Sequence, residues 1–307
     1  MTRPRTGLIV IAVAVLALVA PAVADWIPNA ADPVLATNHK MHWPQMPDLD
    51  GWDVSFESTH TVDNPLGGSY VAFAWPSGDD WQCSSTGPVT DIHFWVSMQG
   101  DTTQANPDGQ VPFQITFLRA RIREDVPAGI ENGGHTYDYS TPGMPLWSAE
   151  FNDPGQHAVA HWATSRQGWL EPASGETVAA DHDHIYQVNI PDTAVSGKEP
   201  FVQAEDVVYW LQIELVAEDQ LGERVDLGWK TADTDAYPLG YAGEPFLDDA
   251  TYYYQTAGLP TEVQEHRRLV IEGQPRDLAF VITPEPATLA LMALGALGLV
   301  ARRRRRI

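Results

Sequence analysis

The chain has 307 residues, one cysteine and a formal net charge of −23 at neutral pH, with 44% hydrophobic and 10% aromatic residues. So much negative charge repels nucleic acid and anionic lipid heads and attracts cations and basic partners. A lone Cys83 excludes an internal disulfide, and the aromatic content excludes a solvated acidic coil.

Arg3 and Arg5 precede an uncharged apolar run from Leu8 to Ala20, and the small-residue triplet Ala22-Val23-Ala24 follows. Charge, apolar core and small-residue exit predict a signal peptide over residues 1–24, cleaved after Ala24. The run is shorter than the ~20 residues of a spanning helix. No cysteine stands at the cleavage point, which argues against a lipoprotein. Residues 25–38 read as a loosely ordered lead-in, and 39–282 as one β-rich ectodomain. With leader and tail set aside, the 260 residues from 25 to 284 carry a charge of −29.

Within the ectodomain no stretch sustains a 3.6-residue apolar period, whereas alternation at period two is frequent. Ile92, Phe94 and Val96 share one strand face, and Val111, Phe113, Ile115 and Phe117 another. There the phase slips: Leu118, Ala120 and Ile122 become the apolar set against Arg119, Arg121 and Arg123, which predicts a bulge or strand break near Phe117. Val207 to Leu215 alternates most clearly. Leu146–Phe151, Ala158–Trp162, Ile185–Ile190 and Leu278–Ile282 are weaker candidates. Turn signals lie between them at Pro107-Asp108-Gly109, Pro127-Ala128-Gly129, Asn132-Gly133-Gly134 and Asp153-Pro154-Gly155. Short strands divided by Gly/Pro turns predict an all-β fold, a jelly-roll-like β-sandwich. Cys83 is expected to be buried behind Trp81 as a small hydrophobe.

The chain closes with Pro284-Glu285-Pro286, an apolar run from Ala287 to Ala301 broken only by Thr288, then Arg302, Arg303, Arg304, Arg305, Arg306 and Ile307. Fifteen residues at ~1.5 Å each make a helix of about 22 Å. That is short of a ~30 Å hydrocarbon core, and snorkelling arginines cover part of the difference. The arginines stay in the cytoplasm, so the ectodomain lies outside. Pro-Glu-Pro, the Gly-interrupted apolar run and the basic end, over residues 283–307, resemble the PEP-CTERM sorting signal. The resemblance implies a membrane-embedded exosortase as partner, anchoring through helix 287–301 before processing at or near Pro-Glu-Pro, and final residence at the cell surface or in the extracellular matrix.

A second resemblance covers most of residues 39–282. His39-Lys40-Met41-His42-Trp43-Pro44, Asp79-Asp80-Trp81-Gln82-Cys83 and Gly87-Pro88-Val89-Thr90-Asp91-Ile92-His93-Phe94-Trp95 carry it, together with Val208-Tyr209-Trp210-Leu211, Gly228-Trp229-Lys230-Thr231 and Asp277–Ile282. These are similar to an uncharacterised ectodomain family found on PEP-CTERM proteins of Planctomycetes-like bacteria. It implies a β-rich extracellular domain and no assigned activity. This chain has Val96-Ser97-Met98 where that pattern has a Gly and a second Trp, and a longer approach to Asp79.

Chemical motifs are sparse. The sequence holds no nucleophile elbow, zinc helix, phosphate loop or dinucleotide fingerprint. Asp48-Leu49-Asp50-Gly51 begins like a calcium loop, but Trp52 stands where a third oxygen ligand belongs. In Asp181-His182-Asp183-His184, extended backbone puts both histidines on one side, a pair that can hold a transition metal if a third ligand arrives; a solvated loop before Ile185 is the favoured reading. The acid pairs Asp79/Asp80, Asp233/Asp235 and Asp248/Asp249 do not single out a glycosidase dyad. Turn-borne carboxylates do suit Ca²⁺ as a structural ion. Trp95 and Trp210, on the more polar faces of their strands, are the candidates for a sugar-stacking platform, unless a further layer covers them. The leading expectation is a non-enzymatic surface or matrix protein held among envelope polysaccharides. The alternatives are a carbohydrate-binding jelly roll and a secreted hydrolase with a hidden carboxylate pair.

Overall fold

The computed structural model describes residues 39–63, 69–153, 155–233, 249–257 and 264–283. The expected leader, the lead-in and the tail with its Pro-Glu-Pro, helix and arginines lie outside the described residues, as do Asp235 and Asp248.

The regular secondary structure of the described chain is almost wholly strand. In order these are β1 (Trp52–Ser55), β2 (Ser58–Asp63), β3 (Ser69–Gln82), β4 (Gly87–Pro88), β5 (Asp91–Met98), β6 (Phe113–Val126), β7 (Glu131–Asn132) and β8 (His135–Thr136). Then come β9 (Thr141–Glu150), β10 (Ala158–Glu171), β11 (Glu176–Ile190), β12 (Val202–Gln203), β13 (Val208–Asp219) and β14 (Arg224–Val225). The last are β15 (Leu227–Lys230), β16 (Thr251–Ala257), β17 (Gln264–Arg268), β18 (Val270–Ile271), β19 (Gln274–Pro275) and β20 (Phe280–Thr283). Among the described residues the one helical element is a 3-10 turn, Thr193–Ser196, capped by the Asp192 side chain.

Two sheets form a β-sandwich. One runs β17-β16-β3-β13-β6-β9, with β2 on β3 and β14 on β13. The other runs β11-β10-β1-β15-β5-β20. Between them lies one core: Ile92, Phe94, Val96, Val188 and Phe280 from the second sheet, Leu118, Ala120, Ile122, Leu211 and Ile213 from the first. Trp81 meets Phe280 edge-on across the interface, with centroids 5.9 Å apart. Each fully buried Phe, Leu or Ile contributes ~1.5–3 kcal/mol, so these alternating stripes are what hold the sheets together. Cys83 is fully buried in the same core, and its thiol donates to the Ser85 carbonyl at 2.9 Å.

The slip of phase near Phe117 is a bulge. The register of β6 on β13 shifts between the Phe117–Val216 and Ile115–Ala217 pairs, leaving Thr116 as the extra residue. A bulge reverses which parity faces inward, so Phe113 and Ile115 before it and Leu118, Ala120 and Ile122 after it are all buried.

The second sheet does not stay open. β11 also pairs with β5, so β11, β10, β1, β15 and β5 close into a ring. On one face of these strands Val54, Trp229, Val96, Phe94 and Val188 join the main core. On the other, Asp53, Lys230, Ser97, Trp95, Gln187 and Trp169 are all buried, opposed in register around the ring. His182 of β11 reaches Asp53 of β1, a strand it does not pair with, which identifies this face as the ring's interior.

β3 carries Pro76 and Gly78 in mid-strand. Pro is confined to edges and bulges of a sheet, and here the register on β16 shifts between Gly78–Thr251 and Pro76–Tyr252, with Ser77 extra. Gly78 has φ +123° and a Cβ there would lie 2.1 Å from the Leu211 carbonyl oxygen. Gly78→Ala is therefore expected to cost well over the ~1 kcal/mol of a positive-φ substitution alone. Gly100→Ala, at φ +72° with nothing within 4 Å, supplies that reference. Equal losses in urea unfolding would contradict the close approach.

Candidate functional site

The outward face of the first sheet is hollowed. Pairing between β3 and β13 ends at Asp79–Leu211, whereas the earlier residues Ser69–Ala74 pair with β2. The change of partner falls at the Pro76–Gly78 irregularity. Beyond it a cleft of about 430 Å³ opens, with Trp75 from β3 and Gln212 and Glu214 from β13 in its lining. A second hollow of about 330 Å³ shares Trp75 and Glu214 and takes a more apolar lining from Phe56, Phe73 and Phe117.

Strand register lays the lining out in rows. With Leu118, Ala120 and Ile122 facing the core, Arg119, Arg121 and Arg123 point outward, and Arg121 pairs with Gln212 and Arg119 with Glu214. On the other side Tyr253 lies between Trp75 and His266, and Gln255 pairs with Gln264. The rings of Trp75 and Tyr253 stand 5.0 Å apart, tilted by 38°, and His266 meets Tyr253 edge-on at 5.4 Å.

The charges here are unevenly satisfied. The Glu214 carboxylate accepts from Arg119 at 2.9 Å and also from Arg121, while Arg119 holds Glu150 as well. Arg123 donates to the Gly143 carbonyl at 2.8 Å, but its Nε is buried with no acceptor. Burial, and then the neighbouring Arg121, push the Arg123 pKa down. Burial, followed by Arg123 and His135, lowers His266 to about 4, so its imidazole is neutral at ordinary pH. The cleft thus offers two guanidinium groups, three glutamine amides, a neutral imidazole and two aromatic faces, around one carboxylate pinned between arginines. Such a set binds through forked hydrogen bonds and ring stacking.

The residues singled out from sequence lie elsewhere. Trp95 is fully buried inside the ring, edge-on to Trp162 at 5.4 Å. Trp210 shares the face of Gln212 and Glu214 but is also fully buried, donating its indole N–H to Asp125 at 2.9 Å. Neither presents a ring to a ligand, so the expected platform is corrected: the covering layer is real at both positions.

Asp181-His182-Asp183-His184 is not a solvated loop but part of β11, with His182, Asp183 and His184 buried. Asp181 and His182 meet each other, while Asp183 and His184 turn to other partners. His182 Nε2 meets Asp53 Oδ2 at 3.0 Å and its Nδ1 meets Asp181 at 3.2 Å, while Lys230 Nζ donates to Asp53 Oδ2 at 3.2 Å. Asp183 accepts from the Thr103 backbone N–H at 2.7 Å and hydroxyl at 2.9 Å. His184 Nδ1 lies 3.2 Å from His161 Nε2. A register shift in β10 falls between Thr164 and Gln167, the partners of His184 and His182, and the two imidazoles bond to different groups. Among the described residues no group of three or more His, Cys, Asp or Glu is placed to hold a metal ion.

Asp79 and Asp80 are buried structural acids. Asp79 accepts from the Leu278 N–H at 2.6 Å and the Asp80 N–H at 2.9 Å, and burial followed by nearby Asp277 raises its pKa. Asp249 pairs with Arg268 at 3.0 Å. Trp75 and Tyr253 were missed in the sequence; the visible signals were Trp75-Pro76 and the run Tyr252-Tyr253-Tyr254, together with the outward arginines of β6.

The chain belongs to a family described as a domain of unknown function (DUF7901), whose profile matches residues 41–283. Residues 283–306 match the PEP-CTERM protein-sorting motif. The motif marks an exported protein, anchored at the membrane before processing by exosortase. No curated protein and no solved structure matches the chain.

Proposed function

We propose that this DUF7901 protein is a non-catalytic component of the cell surface or extracellular matrix that binds envelope polysaccharide through the cleft between β3 and β13. The observation that carries the reading is the Trp75–Tyr253 ring pair set among arginine and glutamine side chains on an open sheet face. Flat rings match the apolar faces of pyranoses, and amides and guanidinium groups pair with vicinal hydroxyls at little reorganisation. The cleft has the size of a small-ligand site. Against hydrolysis, glycosidases need two carboxylates with opposed roles, and among the described residues the lining has one, Glu214, which is ion-paired to Arg119 and Arg121.

The test is affinity electrophoresis of the full-length, detergent-solubilised protein through gels loaded with polysaccharides. Trp75→Ala and Tyr253→Ala are each expected to weaken retardation about tenfold, the ~1–1.5 kcal/mol of a stacked aromatic contact. Leu221→Ala, at a residue 86% exposed and away from the cleft, should leave it unchanged. Retention that survives both aromatic changes would move binding off this face. Shortening of the polymer during incubation would instead favour the hydrolase reading.

A further inference from the structure

We propose that the polymer is an anionic polysaccharide, whose carboxylate or sulfate groups are taken by Arg121 and Arg123. The inference rests on the glycan-binding reading and names its ligand class. On charge alone the opposite would be expected, since the chain carries −23. Yet fields between exposed charges fade over the ~8 Å Debye length at physiological salt, so the groups lining the cleft decide what enters it.

Those groups leave one positive charge unanswered. Among the described residues two arginines line the cleft, and its one carboxylate, Glu214, is shared between Arg121 and Arg119, whose own second partner is Glu150. Among the described residues Arg123 makes no ion pair with a carboxylate. Its guanidinium is half-buried, makes one hydrogen bond to the Gly143 carbonyl, and leaves Nε enclosed without an acceptor. An oxyanion at the part of the guanidinium that lines the cleft supplies acceptors for its N–H groups there and the missing counter-charge. A neutral hydroxyl supplies only the acceptor. The arrangement also fixes direction: an anionic substituent placed at Arg123 leaves its sugar ring beside the glutamines and within the same cleft as Trp75 and Tyr253.

The experiment compares polygalacturonate with the same polymer after reduction of its carboxyl groups, and dextran sulfate with dextran, at about 0.15 M salt. Full-length wild type is expected to bind the charged member of at least one pair about tenfold or more tightly, the range of a charge-assisted hydrogen bond. Arg123→Gln should abolish most of that preference, read as the ratio of charged to neutral binding within each pair, and Trp75→Ala should weaken binding of both members. Arg123→Lys, which keeps the charge but not the fork, should retain part of the preference and guards against a folding artefact. The carboxylated and sulfated arms identify which oxyanion is used. Equal binding within both pairs, or a preference untouched by Arg123→Gln, would overturn the inference while leaving glycan binding intact. No binding to any of the four polymers would remove both readings.

Discussion

Asp53→Asn is expected to destabilise the protein by ~3–5 kcal/mol, a large share of the ~5–15 kcal/mol that holds a typical domain together. Inside the five-stranded ring the ionisable groups form a balanced set: Asp53 and Asp181 negative, His182 and Lys230 positive. Asp53, His182 and Lys230 are fully buried. Asp53 Oδ2 is the hub, accepting from Lys230 at 3.2 Å and from His182 at 3.0 Å. Despite full burial, which alone would raise it, the Asp53 pKa is held below the usual carboxylate range by Lys230 and His182. Removing its charge strands two cations against the single carboxylate of Asp181, in a space that water does not reach. Lys230→Met strands one anion in the same way. The double variant Asp53→Asn/Lys230→Met returns the site to neutrality, with His182 and Asp181 still paired. It should therefore cost clearly less than the two single changes added, because the penalty belongs to unpaired buried charge more than to a lost contact. Urea unfolding of the four proteins measures this. Single changes costing under about 1 kcal/mol, or strict additivity, would mean that the ring interior is wet.

The same ring explains which parts of the fold could be read from sequence. β5, β6 and β13 were legible because each has one face against the main core, so apolar residues alternate, and even the Thr116 bulge left a trace as a change of phase. The later half of β10 and the earlier half of β11 were not. Their inward residues, such as Gln167 and His182, face a polar interior, and the period-two rule assumes that inward means apolar. The rule that put Trp95 on an outer, solvent-facing side fails for the same reason: closure gives the strand a second inside. β3 was hidden by Pro76, Gly78, Asp79 and Asp80, residues that ordinarily end strands. The register irregularity they carry lies next to Trp75 in the cleft lining, so the feature that concealed the strand adjoins the site. Trp75 and Tyr253 become neighbours only through the pairing of β3 with β16, a contact between distant segments that no local pattern announces.

Stability is expected to be greatest near pH 6.5 and to fall toward pH 9, with His182 responsible for the alkaline side. Its imidazole is raised to about 9: burial alone would lower it, but the carboxylates of Asp181 and Asp53 together outweigh burial and the nearby Lys230. A histidine with a raised pKa keeps in the fold a proton that the unfolded chain releases above ~6.5. Its contribution is therefore complete below that pH and is lost as pH climbs through about 9. With each tenfold change in proton affinity worth ~1.4 kcal/mol, the loss is of order 3 kcal/mol. Lys230 works in the other direction, because burial lowers its pKa and the unfolded chain then holds that proton more firmly. Its effect enters from its lowered folded-state pKa up to the ordinary lysine range and opposes the alkaline loss set by His182. On the acid side His266, lowered to about 4 chiefly by burial and then by Arg123 and His135, acts oppositely. Below ~6.5 the unfolded chain takes up a proton that the folded imidazole refuses, so stability falls from pH 6.5 toward 4. Urea unfolding at pH 5, 6.5, 8 and 9 should trace this dome in the wild type. His182→Gln should lower stability at pH 6.5 and flatten the alkaline limb while leaving the acid limb in place. An alkaline limb that persists in His182→Gln would assign the titration to another group and leave the carboxylate clamp on His182 without a role in stability.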